Sequence, residues 1–502
     1  MKIAENIAVE KGSSYSELME RAGKGVADKI LNLCDVSDKQ VTVLCGKGNN
    51  AGDGLVSARY LSEMGAKITV IFVMGKELSA LSRANLYELE KRQVYFLDDE
   101  DSLPRRLEAL RSSDIIIDAV FGTGFNGELP PSCKEIFEIA NLSHAIKISL
   151  DIPSGINCDT GFFDEDTFNA DYTYSFASLK PAHILKSSVS LCGKIEIIDI
   201  GISKIDIYAI PDTITVLNTE MVAGCIPKRF EDSNKGSYGR LLNIGGSINM
   251  SGAVMLSSLS ALRCGVGLVK IATPQPLIPI IASRIPECIY SAMPTSPYGS
   301  ISVDGTNELR SDLEWATTAL LGCGLSVCED TKLIAEEVIT TFNKPLVIDA
   351  DGLNCIADNP EVLKEAIAPI IITPHIKEMS RLTGLSIEII KKRRFDIAVQ
   401  FAEKYNVTVV LKDSNTVIAT PKREIFINRN GNSGLAKGGS GDVLSGMIAS
   451  FLAQGVSPLS ASVLGVYLHA EAGDITSKTL TPYSMLPTDV IETIPFLLKQ
   501  IL

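Results

Sequence analysis

Gly438, Gly439 and Gly441 lead into Asp442 at the start of an apolar stretch, in the run Gly434-Leu435-Ala436-Lys437-Gly438-Gly439-Ser440-Gly441-Asp442-Val443-Leu444. Consecutive peptide N–H groups at a helix N-terminus form a hole for an anion, and the helix dipole reinforces it. A carboxylate beside such a hole can take the proton from a hydroxyl that attacks phosphorus. Read alone, the run could be a glycine-rich loop capped by Asp442. Other polar and glycine segments follow strand-like runs in the same half: 245–247 through 251–253 with Ala253, Gly322-Cys323-Gly324, Asp349-Ala350-Asp351-Gly352, and Thr373-Pro374-His375 with Glu378 three residues on. Taken by itself, His375 reads as a loop residue without a catalytic part.

The first half carries a second constellation. Cys45-Gly46-Lys47-Gly48-Asn49-Asn50-Ala51-Gly52-Asp53-Gly54 follows a β-branched run and opens a helical pattern. Glycine permits φ > 0 and close backbone approach. The carboxyl ends of parallel strands are the usual ligand edge of an open α/β sheet. Two more runs end alike, Asp118 leading to Gly122-Thr123-Gly124-Phe125-Asn126-Gly127-Glu128 and Asp151 leading to Ser154-Gly155. Each aspartate alone would be a cap or turn residue. Their recurrence at three strand ends favours one crevice, in which Asn50, Asp118 and Ser154 offer oxygen ligands to a hard cation and Asp151 is a candidate acid/base.

These residues need a frame. Strands are expected over 41–45, 68–73, 115–118, 146–150 and 195–200, with helices over 55–64 and 81–91 between them and a further helix over 13–32. After a connector over 203–220, a second series runs through 241–244, 268–272, 346–349, 370–373, 407–411 and 416–419. Strand–helix alternation gives an α/β fold with mostly parallel sheets. The 502 residues suffice for two domains, placed at 1–215 and 216–502. A net charge of −13 argues against a nucleic-acid surface. Eleven cysteines, odd in number and without a CxxC pair, read as reduced thiols of a cytoplasmic protein. Four histidines without ligand-like spacing give no zinc site. The start of the chain lacks the apolar core of a signal peptide. The charge-free stretch 443–470 is broken by Gly455 and Pro458, so two buried helices are expected there instead of a membrane span.

The segments at 45–54, 118–124 and 151–155 resemble the signature segments of the NAD(P)H-hydrate epimerase family, over about residues 10–210. The resemblance implies a Rossmann-like fold. It implies contacts to the hydrated dinucleotide from Asn49, Asn50, Ala51, Gly52, Asp53, Gly122, Thr123, Gly124, Phe125, Asn126, Gly127, Glu128 and Asp151, with potassium at Asn50, Asp118 and Ser154. The segments of the second half resemble the ribokinase-like superfamily, and within it the ADP/ATP-dependent NAD(P)H-hydrate dehydratases, over about residues 225–500. There the resemblance implies that Ala253, Gly324, His375 and Asp442 contact the hydrate. It gives the adenine nucleotide to Lys412, Asp413, Ser414, Asn415, Thr416, Gly438, Gly439 and Gly441, with magnesium bridging its phosphates. Asp151 and Asp442 are the implied catalytic residues.

Together the halves imply a repair enzyme for hydrated NADH and NADPH. One half interconverts R and S hydrates. The other dehydrates the S form, and the fused architecture implies ADP as donor, giving AMP and phosphate. Related proteins often assemble, so a homo-oligomer is compatible. Several positions depart from the families. Ala51 stands for a glycine, which is tolerable if its φ is negative. Asp413 follows Lys412 where glycine is favoured, and would oppose an anionic nucleotide unless it points to solvent. Lys437 stands beside the anion hole, where it could help bind phosphate, and Lys377 replaces a small residue. Two rivals follow from the same residues: a small-molecule kinase, and a first half that only binds.

Overall fold

A computed structural model describes residues 1–98 and 101–502 of the chain. Its contacts divide the chain into two units, Met1–Thr213 and Ile214–Leu502.

Among the described residues the first unit holds seven strands: β1 (Gln40–Cys45), β2 (Lys67–Phe72), β3 (Tyr95–Leu97), β4 (Ile115–Ala119), β5 (Ile146–Leu150), β6 (Tyr172–Phe176) and β7 (Lys194–Ile198). They form a parallel sheet in the order β3-β2-β1-β4-β5-β6-β7. The order reverses between β1 and β4, and ligands of such sheets bind outside the carboxyl ends at that point. Central β4 reads Ile-Ile-Ile-Asp-Ala and is buried throughout, as a strand covered on both faces must be. Val43, Leu55 and Ile117 pack on one face, and Leu44, Ile116 and Phe137 on the other. Each such buried side chain contributes about 1.5–3 kcal/mol. The helix expected over 13–32 is Tyr15–Leu33, opened by a capping box between Ser14 and Glu17. Strands β3 and β6 were not expected. The first is three residues long, and the second, Tyr-Thr-Tyr-Ser-Phe, is aromatic rather than aliphatic.

The second unit carries β8 (Ile214–Val216), β9 (Arg240–Ile244), β10 (Leu268–Pro274), β11 (Ile289–Met293), β12 (Thr318–Leu321), β13 (Leu346–Ile348), β14 (Ile370–Ile372), β15 (Val407–Leu411), β16 (Val417–Ala419) and β17 (Ile425–Ile427). Among the described residues they make a ten-stranded sheet in the order β11-β10-β9-β12-β13-β14-β15-β16-β17-β8. It is parallel from β11 to β15, turns antiparallel at β16 and β17, and ends with β8 parallel to β17. The sequence reading therefore needs correction at 203–220. Ile214-Thr-Val is an edge strand of the second sheet, flanked by short helices Lys204–Tyr208 and Thr219–Ala223. Three residues are too few for periodicity to reveal. The stretch 443–470 does belong to two buried helices, Ser440–Ala453 and Pro458–Ser484. Among the described residues no helix is long and apolar enough to cross a membrane.

Candidate active sites

In the first unit the loop after β1 opens helix Asn49–Glu63, which Gly48 precedes in extended conformation. Ala51 lies inside this helix and has no positive φ, so its methyl group is accepted without backbone strain. Gly52 and Gly54 serve packing. A Cβ on Gly52 would come within 2.5 Å of Met19 Sδ, and one on Gly54 within 2.6 Å of Ala119 Cβ. What these two glycines can offer a ligand is backbone alone. A Cβ on Gly48 or Gly124 would meet nothing within 4 Å, which leaves those turns open to a ligand. Asn49 Oδ1 accepts from Ser79 Oγ at 2.8 Å, tying the loop to the next helix.

Asn50 is buried. Its Nδ2 donates to the carbonyl oxygens of Phe121 at 2.9 Å and Leu150 at 3.3 Å, so the loops after β1, β4 and β5 converge on one amide. Asp118 is wholly buried and accepts four bonds, from Ser149 Oγ (2.9 Å), Ser154 N (2.8 Å), Ser154 Oγ (2.6 Å) and Val120 N (3.2 Å). Burial pushes its pKa up to about 6 against the pull of those donors. No cation pairs with it among the described residues.

Asp151, the first residue beyond β5, is held at φ +64°. A non-glycine residue in this region costs on the order of 1 kcal/mol and marks a functional constraint more often than a defect. Its carboxylate accepts from Phe176 N at 3.1 Å and from the ammonium of Lys180. Lys180 is 4% exposed. Its other bonds go to Ser175 Oγ (3.0 Å) and the Phe176 carbonyl (2.8 Å), which completes its three donors. The Lys180 N–H donates to His183 Nδ1 at 3.1 Å, fixing the turn that carries the lysine. Burial, then the Lys180 charge, lowers the His183 pKa to about 4, so the imidazole is neutral. Asp53 lies near this pair. Burial first, then the Asp151 and Glu5 charges, push its carboxyl far above its ordinary range. Two carboxyl groups thus have opposite environments, one paired with an ammonium and one inclined to keep its proton.

The sequence reading missed Lys180 and His183. The signal was there, a lysine and a histidine three residues apart around Pro181, but β6 ahead of them was not recognised. The expected stretch 122–128 is divided. The Phe125 ring packs at a tilt of 43° against Phe121 with centroids 4.9 Å apart and belongs to the core, so only its backbone can reach a ligand. Asn126, Gly127 and Glu128 are exposed.

In the second unit the carboxyl ends of β12 to β15 and the N-terminus of helix Ser440–Ala453 meet. Asp349, next after β13, is 1% exposed. Its Oδ1 accepts from Lys412 Nζ at 2.6 Å, and its Oδ2 has no partner among the described residues. Lys412 follows β15 and its N–H donates to the Pro374 carbonyl at 2.8 Å, which brings the β14 loop and His375 alongside. Burial works against the Lys412 charge, but Asp349 and Glu378 more than offset it and its pKa is raised. A Cβ on Gly441 would lie 3.3 Å from Lys412 Nζ and 3.9 Å from Asp349 Oδ2, so the helix N-terminus abuts the ion pair. Gly439 turns into that helix at φ +95°, and a Cβ on Gly438 would meet nothing within 4 Å.

Asp442 sits in the first turn of this helix. Burial, then the Asp349 charge, push its pKa up to about 6, while the Cys323 thiol and Lys412 pull it down. Cys323 Sγ, Asp349 and Asp442 offer ligand atoms within 4.8 Å of one another. Gly324, at φ +65°, packs against Ala253, whose Cβ would be 2.9 Å from a Cβ added there. His375 caps helix Ile376–Thr383. Its Nδ1 accepts from Glu378 N at 3.0 Å, and Glu378 Oε2 accepts from His375 N at 2.7 Å. Burial pushes the Glu378 pKa up to about 7. Ala253, Gly324, His375, Lys412, Gly441 and Asp442 therefore surround one cluster. Asp349 and Glu378 stood in the motifs without a role, and both belong to it.

Two departures acquire physical explanations. The Asp413 carboxylate pairs with the buried guanidinium of Arg394 at 3.3 Å and is thereby turned away from the cluster. Lys437 is corrected as a phosphate ligand. Its ammonium donates to the carbonyls of Tyr483 (2.7 Å) and Met485 (2.6 Å), where helix Pro458–Ser484 ends. Asn415 is buried with its amide on the Asn428 carbonyl at 3.2 Å, Thr416 O accepts from Asn428 N, and Ser414 is exposed. These three shape the β15–β16 turn.

The family model described as NAD(P)H-hydrate dehydratase matches residues 241–496, and that of the YjeF-related protein N-terminus matches 15–182. Among curated proteins, the bifunctional NAD(P)H-hydrate repair enzyme Nnr of Moorella thermoacetica is 34% identical over 489 residues, covering 96% of this chain and 92% of its own. The enzyme of that name from Escherichia coli K12 is 31% identical, covering 96% and 89%. Among solved structures, the ADP/ATP-dependent NAD(P)H-hydrate dehydratase of Bacillus subtilis, co-crystallised with ATP and Mg2+, is 28% identical. It covers 58% of this chain and 99% of that one with a TM-score of 0.50. A ribokinase-like superfamily protein from Enterococcus faecalis matches with a TM-score of 0.51 at 28% identity, covering 57% and 96%.

Proposed function

We propose, for a chain that belongs to the bifunctional NAD(P)H-hydrate repair enzymes, that Asp151 drives epimerisation in the first unit and Asp442 starts an ADP-dependent dehydration in the second. The observation that carries this reading is the pair of strand-end clusters, each with a candidate catalytic aspartate beside a buried lysine.

Hydroxide is a poor leaving group, and phosphorylation makes the oxygen a good one. Asp442 takes the proton from the hydroxyl on the hydrated ring carbon. That oxygen attacks the β-phosphorus of ADP, and AMP leaves. The carbon–oxygen bond then breaks and phosphate departs. A proton is lost from the neighbouring carbon, which restores the ring double bond. Backbone N–H groups at Gly438, Gly439 and Gly441 offset charge on the transferred group. Lys412 holds Asp349 in place beside Asp442. The unpartnered Asp349 Oδ2 fits a hard divalent ion, so Asp349 would hold the magnesium that neutralises the nucleotide phosphates and Asp442 stays available as the base.

In the first unit Asp151 moves the hydroxyl proton to the ring nitrogen as the carbon–nitrogen bond breaks and leaves an aldehyde, and the reverse steps on the other carbonyl face return the hydroxyl with the carbon inverted, while Lys180 fixes the carboxylate for that transfer. Asp118 is a buried acid without a cationic partner, and Asn50 and Ser154 surround it with oxygen-bearing groups. This donor set fits potassium, which would supply the missing counter-charge.

The test supplies the purified chain with mixed R and S hydrates and follows the return of reduced-nicotinamide absorbance. With ADP, magnesium and potassium, both epimers are recovered faster than they interconvert spontaneously. Recovery of the S form alone would remove the epimerase role from Asp151. Accumulation of a phosphorylated product without free phosphate would make the second unit a kinase.

A further inference from the structure

Val327, Asn354, Ala357, Asp358 and Arg381 line an open surface hollow of about 490 Å³ in the second unit. This is in the size range of small-molecule sites, roughly 300–1,000 Å³. Its walls come from the segments that follow β12, β13 and β14, three adjacent parallel strands of which β13 leads to Asp349 and β14 to His375. Hydrogen bonds link it to that site. Ser326 N donates to Asp351 Oδ2 at 2.9 Å, Asn354 Nδ2 to Asp351 Oδ1 at 3.2 Å, and Arg381 Nη1 to Asn354 Oδ1 at 2.6 Å. Ser326 is held at φ +64°, and its hydroxyl donates to the buried Ser247 at 3.0 Å. Burial dominates the electrostatics of His375 and Glu378, yet the Arg381 charge is felt at both.

The lining combines three kinds of group. Val327 and Ala357 give apolar surface. Arg381 keeps guanidinium N–H groups beyond the one used by Asn354, in a planar fork that matches phosphate. Among the described residues Asp358 pairs with Lys332, at 3.4 Å, and Lys332 is shared with Glu329 at 3.5 Å. Asp358 is 85% exposed and free to turn to another donor. A carboxylate accepts from the hydroxyls of a ribose, whereas a guanidinium accommodates a phosphate on the same ring. The implied hydrate contacts Gly324 and His375 lie on the same loop and at the start of the same helix that supply Val327 and Arg381. Six residues along helix Ile376–Thr383 separate His375 from Arg381, a rise of about 9 Å, so a dinucleotide whose reacting ring lies by His375 can extend along that helix to this space.

Resting on the dehydratase reading above, we infer that this hollow receives the adenosine ribose of the hydrated dinucleotide. Asp358 accepts from the free 2′-hydroxyl of NADH hydrate, and Arg381 binds the 2′-phosphate of NADPH hydrate. The opposed charges make one site serve both substrates.

The test measures KM for the S forms of NADH hydrate and NADPH hydrate, and for ADP, in the full-length wild type, Arg381→Gln and Asp358→Asn. Losing a charge-assisted bond to phosphate should raise the NADPH hydrate KM of Arg381→Gln roughly tenfold or more, with the NADH hydrate KM within about twofold. Asp358→Asn should reverse the pattern, raising KM for NADH hydrate a few-fold and not for NADPH hydrate. Each variant's unaffected substrate reports that it has folded. Equal shifts for both hydrates, or none, would overturn the assignment. A shift in the ADP KM alone would overturn it too, by giving the hollow to the nucleotide. If the wild type dehydrates neither hydrate, the dehydratase reading fails first. If it dehydrates both and the variants do not discriminate, only the assignment of the hollow fails.

Discussion

Lys180→Met removes one ammonium from the first unit and leaves the second unit's chemistry alone. In the native protein Lys180 donates to Asp151, Ser175 Oγ and the Phe176 carbonyl, and no solvent-facing atom replaces it, since the residue is 4% exposed. Without it, Asp151 keeps only the Phe176 N–H as a donor. Stripping one partner from a buried ion pair costs about 3–5 kcal/mol, unless the orphaned carboxylate takes up a proton. Either outcome takes the base away at neutral pH. Asp53, which Lys180 now tempers, would hold its proton more firmly still. General acid–base catalysis contributes about 10²–10⁴-fold. Epimerisation should therefore slow by at least about 10²-fold. The assay separates R and S hydrates chromatographically after incubation without ADP. The same preparation is then given pure S hydrate with ADP. Dehydration at the wild-type rate shows that the chain has folded. Lys180→Arg, which keeps the charge in a larger head, should recover part of the rate. Wild-type epimerisation in Lys180→Met, or a loss that Arg does not relieve at any pH, would refute the role given to the pair.

Three further outcomes are expected. The dehydratase rate should fall as pH drops through about 6, because burial and the Asp349 charge raise the Asp442 pKa to that value and the base must be ionised; Asp442→Asn should abolish dehydration while leaving epimerisation intact, as pH–rate profiles with pure S hydrate and epimer analysis would show. Asp413→Asn strands the buried Arg394 guanidinium, so it should destabilise the second unit by roughly 1–3 kcal/mol in a denaturant titration and leave the ADP KM nearly unchanged. Asp118→Asn should remove any dependence of epimerisation on potassium, measured by replacing potassium chloride with choline chloride at constant ionic strength.

Much of the fold could be read from aliphatic periodicity. Strands such as β5 and β15 fall where the expectation put them because Ile-Lys-Ile-Ser-Leu and Val-Thr-Val-Val-Leu have no competing reading. Short or atypical strands escaped. Ile214-Thr-Val needs the partner β17 to be a strand at all, and Thr318–Leu321 is a four-residue run beginning in threonine and alanine. Among candidate residues, glycine was the ambiguous type. Gly438 and Gly124 face open space, while Gly52 and Gly54 are small because a helix lies against Met19 and Ala119. A glycine in sequence carries no mark that tells these apart.

The lysines show a deeper limit of reading one chain in order. Asp151 and Lys180 are 29 residues apart, and Asp349 and Lys412 are 63 apart. Each aspartate ends one parallel strand and each lysine follows a strand further along the sheet. The first pair spans neighbours β5 and β6, and the second spans β13 and β15 with β14 between them. A parallel sheet makes this arrangement general, because every strand delivers its next residues to the same edge. An acid at such an edge needs a compensating charge, and the only chain at hand is the one leaving a nearby strand. A lysine one or two strands from a strand-end aspartate is therefore a place to look, once the strand order is known. Asp118 lacks such a partner among the described residues although it is buried like the others. With four neutral donors as its only partners among the described residues, its charge is compensated by a proton or by a cation from outside the chain, and the second is what the proposed potassium would supply.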